Sequence, residues 1–226
     1  MIKSLLYKEW LKVKWSFMGL IMLNLLIILN VCISLYNDFK FYETNEIYGG
    51  VVSWKNLFYI DMMYIPLATG LLLGIVQFFP EMNANRLKLT LHLPMKESKS
   101  LSLMQWFGIG LLFCLFLFDA IVISVFTSIY FPAEIVNSFW IISLPWFLAG
   151  FTGYIFVSII IIEPSWSRRI LFGIIGAGFV SWYYDTFSPM GLYATFEKSF
   201  LIFVVITILI TPAILFSGNN YKRGIR

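Results

Sequence analysis

From Leu101 to Tyr130 the chain is one apolar run with a single charged side chain, Asp119. Roughly 20 apolar residues already cross a bilayer core. Inside that core every backbone N–H and C=O has to be satisfied within the protein, so only helices and closed barrels can span. A barrel strand is short and alternates apolar with polar residues. A long continuous run therefore predicts a helix.

Five more such runs occupy about 15–36, 57–79, 139–162, 170–187 and 199–217. The fold class predicted is all-α and integral to the membrane: six transmembrane helices in a single domain, residues 1–226. With 60% hydrophobic and 12% charged residues, the chain carries about half the charge usual for a soluble domain. Trp15, Trp54, Trp106, Trp140, Trp166 and Trp182 fall near the predicted span ends, where amphipathic rings sit at the headgroups. The basic start runs into an apolar stretch too long for a cleavable signal, so the first span is expected to be retained.

Lysine and arginine are placed unevenly. Four lie in 1–14, four in 80–100, two in 163–169 and three in the tail; Lys40, Lys55 and Lys198 alone fall on the other side. The positive-inside rule then puts both termini and the 80–100 loop in the cytoplasm. The net charge of +4 is read as orientation, and no nucleic-acid partner is expected.

Along the chain, residues 1–14 have an apolar arc of Ile2, Leu5, Leu6, Trp10 and Val13, with Lys8, Lys12 and Lys14 outside it. That pattern predicts an interfacial amphipathic helix, lysines toward headgroups and Trp10 at the boundary. Glu9 lies within the apolar arc and requires a partner there. Span 2 carries Gly70 and Gly74 at GxxxG spacing, which permits close helix approach, and Pro66, expected to kink it. Asn24, Asn30 and Gln77 lie within spans and are expected to hydrogen-bond between helices. Asp119 reads equally as a cavity residue on a substrate path or as a helix-to-helix hydrogen bond.

Several chemistries lack their residues. There is no G-x-x-x-x-G-K-[ST] phosphate loop and no G-x-S-x-G motif, and there is only one histidine, His92. Cys32 and Cys114 lie in apolar runs at different depths and read as small fillers. No catalytic residue, no metal site and no cofactor bound by this chain are expected.

The segment Pro80–Ser100 combines an acidic start, Glu81, with Arg86, Lys88, Lys96 and Lys99, and with Leu87, Leu89, Leu91 and Leu93 before Pro94. Pro80 suits a first helical turn and Glu81 its positive end, so a helix starting at Glu81 is expected. The leucines also alternate with Lys88, Thr90 and His92, which suits a strand. Both readings stay open for 86–93.

This loop, the basic first segment with Glu9, the Ser188-Pro189 turn and the six-span plan resemble the permease subunit of ABC-2-type ABC exporters. The resemblance implies a cytoplasmic coupling helix between spans 2 and 3, seated on a separate ATPase. It implies Glu81, Arg86, Leu87, Lys88, Leu89, His92 and Leu93 as the ATPase-coupling interface, and Glu9 with Trp10 as an elbow helix, Glu9 reaching Arg86. It also implies two ATPase copies carrying ATP and magnesium, a second permease copy or paralogue, and a bacterial inner-membrane location. This chain would then be no enzyme itself. The external loops have no folded domain, so no large extracellular gate is expected. The competing readings are a stand-alone membrane enzyme acting on lipid and a secondary transporter of ions or solutes.

Overall fold

A computed structural model of the chain describes residues 2–42, 60–83, 96–185, 202 and 204–223. Every regular element among them is helical. The helices are α1 (Ile2–Phe41), α2 (Ile65–Met82, preceded by a 3-10 turn at Ile60–Met62), α3 (Glu97–Tyr130), α4 (Ala133–Ile162) and α5 (Trp166–Asp185). The last two, α6 (204–210) and α7 (Ala213–Arg223), run on from each other across Thr211 and Pro212. Pro212 lacks an N–H for the helical ladder, and the Thr211 N–H donates to Ile208 O instead, at 3.1 Å.

Five stretches are long and apolar enough to cross a membrane: α1, Ile60–Met82, α3, Ser143–Ile162 and Val204–Tyr221. The helix expected as span 5 forms as α5 but is not among them. It opens on Arg168 and Arg169 and closes on Asp185, leaving a short apolar middle. Large apolar side chains such as Met22, Leu26, Ile129 and Ile174 face outward, as a surface bathed in lipid tails requires.

Three expectations change. Residues 1–14 are not a separate interfacial helix; α1 continues through them to Phe41. No proline interrupts it, and one inward stripe runs unbroken through Leu5, Glu9, Val13, Phe17, Leu20, Asn24, Ile28, Val31 and Leu35. Pro66 does not kink span 2; it occupies the first turn of α2, where its missing N–H costs nothing. Finally, Pro80 and Glu81 do not start a coupling helix. They belong to the last turn of α2, which carries Pro80 inside it and ends at Met82.

Helices α2 and α4 share the most extensive contact, and small residues make it possible. A Cβ on Gly70 would overlap the Gly150 carbonyl, and one on Gly150 would lie 2.5 Å from Pro66 O. A Cβ on Gly74 would lie 3.0 Å from Val157 Cγ1. Lipid tails are as apolar as leucine, so in a bilayer this backbone-to-backbone fit supplies the packing that burial alone cannot. Around it lies the main core, including Leu73, Met104, Leu112, Tyr154 and Ile159.

Contacts from Lys12 to Glu81, Leu101 to Gly218 and Glu163 to Asn220 gather one end of the bundle. It holds the start of α1, the end of α2, the start of α3, the end of α4 and the end of α7.

Candidate functional site

At that end the buried stripe of α1 carries Glu9, which has no exposed surface. A carboxylate there is tolerable only with close partners. One turn on, Lys12 supplies the first, its Nζ 2.9 Å from Glu9 Oε1 and 2.8 Å from Oε2. The same Nζ lies 3.0 Å from Glu81 Oε1 on α2, and Lys8 Nζ reaches that oxygen at 3.0 Å. Two ammonium groups and two carboxylates thus form one cluster in which the charges cancel.

Gln77, one turn before Glu81, spreads the cluster. Its Nε2 donates to Glu9 Oε2 at 3.0 Å and to Met104 O of α3 at 2.8 Å. Its Oε1 accepts from Tyr154 Oη of α4 at 2.8 Å, and that hydroxyl also lies 3.2 Å from Gln105 O. Four helices therefore meet in one hydrogen-bonded junction. Gly108 makes room for it, since a Cβ there would overlap Tyr154 Oη and Gln77 Oε1. The junction sits directly before the basic segment that follows Asn83.

Two smaller polar groups tie the remaining helices. Glu163, buried at the end of α4, accepts from Arg169 Nε through its backbone oxygen at 2.6 Å. Its carboxylate lies 3.6 Å from Arg168 Nη1 and 3.4 Å from Asn220 Nδ2 of α7. Deeper in the bundle, Tyr183 Oη lies 2.7 Å from Thr207 Oγ1, and Thr152 Oγ1 lies 3.4 Å from each of them.

The predicted residues divide three ways. Glu9, Gln77 and Glu81 come together in the junction, where Glu9 pairs with Lys12 and Gln77; the expected contact from Glu9 to Arg86 falls outside the described residues. Asn24 joins α1 to α2 by donating to Thr69 Oγ1 at 3.1 Å. Asp119 is buried in α3, with Oδ1 in no hydrogen bond among the described residues. Contrary to expectation, Asn30 is on the exposed face of α1. Trp10 is partly exposed and packs edge-on against Phe17, centroids 6.4 Å apart. Arg86, Leu87, Lys88, Leu89, His92 and Leu93 lie outside the described residues, as does the choice between helix and strand for 86–93.

Sequence reasoning missed Tyr154 and Glu163 and misplaced Lys12, whose side chain is 13% exposed and turned inward. The available signal was Glu9, whose need for a cation pointed to the lysine one turn away.

Among the described residues, no group of three His, Cys, Asp or Glu side chains is placed to hold a metal ion. No family model, curated protein or solved structure matches the chain.

Proposed function

We propose that this chain is the permease subunit of an ATP-driven exporter of the ABC-2 type, paired with a separate ATPase and a second permease. The observation carrying this reading is the Lys8–Lys12–Glu9–Glu81–Gln77–Tyr154 junction. A partner acting on the basic 84–95 segment pulls first on Glu81. From Glu81 a displacement passes through charged, buried contacts to α1, and through Gln77 to α3 and α4. Such contacts tolerate little stretching, because a separated buried ion pair leaves each charge desolvated and alone. They therefore move as a unit or switch to another discrete arrangement.

The six-span topology and the cytoplasmic position of the junction belong to this proposal. They are supported by the thirteen-to-three distribution of Lys and Arg and by the common end on which α1 begins and α7 finishes.

Affinity purification of the tagged chain from its native membranes tests the reading. A P-loop ATPase recovered in stoichiometric amount, with hydrolysis that responds to changes in 84–95, is the expected result. Transport or lipid chemistry by the purified chain alone, with no ATPase, contradicts it.

A further inference from the structure

Asp119 lies far from both ends of α3, about 33 Å along the helix from Glu97 and about 16 Å from Tyr130. It is 1% exposed, and its Oδ1 is in no hydrogen bond among the described residues. Phe116, Ala120 and Ile123 flank it on the buried stripe of α3. Phe116 and Ala120 belong to one apolar cluster with Leu20 and Phe147, and Ile123 to a second with Ile28, Val31, Met62 and Trp146. Asn24, on the inward stripe of α1 between Leu20 and Ile28, already donates to Leu20 O and Thr69 Oγ1.

No apolar stretch supplies a cation. The sequence has no Lys, Arg or His in 15–37, 62–80, 100–130, 135–162, 170–184 or 199–221. Within these stretches, the titratable groups on helices packed against α3 are Cys32 and Tyr36 of α1, Tyr154 of α4 and Tyr221 of α7. Such thiols and phenols are ordinarily neutral at pH 7. The other buried carboxylates differ. Glu9 lies 2.8 Å from Lys12, Glu81 lies 3.0 Å from Lys8 and Lys12, and Glu163 lies 3.6 Å from Arg168, so their charge is answered within the protein.

We propose that Asp119 is a proton-binding site in the bundle interior, held as the neutral acid, and the carboxyl of this chain that a hydrophobic carbodiimide modifies. An isolated carboxylate among hydrocarbon costs far more than a neutral acid, so the group keeps its proton. The reagent needs that proton. The acid's hydrogen moves to a carbodiimide nitrogen as the acid's oxygen bonds the central carbon. The acyl group then passes from that oxygen to the nitrogen, leaving a stable N-acylurea with every atom retained. This inference stands without the transport reading.

Treating membranes that hold the whole chain with dicyclohexylcarbodiimide, then mapping peptides by mass spectrometry, tests it. One reagent mass on Asp119 is expected, and Asp119→Asn is expected to lose it. Infrared spectra of the chain in proteoliposomes at neutral pH read the proton itself. The band of a protonated carboxyl is expected in wild type and should be lost in Asp119→Asn. An adduct on Glu9, Glu81 or Glu163 in place of Asp119, no adduct at all, or a protonated-carboxyl band that persists unchanged in Asp119→Asn overturns the proposal. If Asp119→Asn fails to fold, the mapped position of the wild-type adduct decides.

Discussion

Lys12 and Glu81 are 69 residues apart in the chain, yet their charged atoms lie 3.0 Å apart where α1 meets the end of α2. Lys12 also holds Glu9, so one ammonium answers two buried carboxylates.

Lys12→Met is therefore expected to destabilise the fold by about 3–5 kcal/mol, the cost of leaving buried charge unpaired. Thermal unfolding in detergent measures it. Adding Glu9→Gln should return part of the loss, because it removes the carboxylate left without a cation, whereas Glu81 keeps Lys8. Strict additivity of the two changes would show that the residues do not interact.

Tyr154→Phe and Gln77→Leu separate neutral from charged contributions. Removing the hydroxyl takes away neutral hydrogen bonds only, and such bonds within membranes average about 0.6 kcal/mol, up to about 1.7. Gln77→Leu also strips a donor from the Glu9 carboxylate. It is expected to cost about 2 kcal/mol or more, in the range for bonds to charged groups. The same unfolding assay should rank Gln77→Leu well below Tyr154→Phe in stability.

Gly70→Ala sets a Cβ against the Gly150 backbone. Neither helix has a flexible side chain to move there, so a loss of about 1–3 kcal/mol is expected. Gly19→Ala, where nothing lies within 4 Å, should be neutral or stabilising by up to ~1 kcal/mol. Unfolding midpoints that do not distinguish the two would contradict the α2–α4 packing described above.

Much of the helical architecture was legible because an apolar run long enough to cross hydrocarbon has few alternatives. Helix ends were less legible. Glu81 reads locally as a helix start, but two lysines of α1 hold it in the last turn of α2, a contact no local pattern contains. By helical period alone Lys12 faces the headgroups, because period ignores a partner brought by another helix. Tyr154 carried no signal of its own. Its role depends on Gly108 being bare, and only the packing of α3 against α4 reveals that. Gly70 was the opposite case, since its value as a contact lay in its lack of a side chain.

In the exporter proposed here, a partner ATPase would act on this bundle through the 84–95 segment and Glu81. The most direct measurement is ATP hydrolysis by the purified complex in proteoliposomes, compared with the free ATPase. Association with the wild-type chain is expected to change the hydrolysis rate, and Arg86→Glu combined with Leu89→Ala is expected to abolish that effect while the chain remains folded. Hydrolysis identical with and without the chain, or a coupling effect unaltered by the double variant, would contradict it.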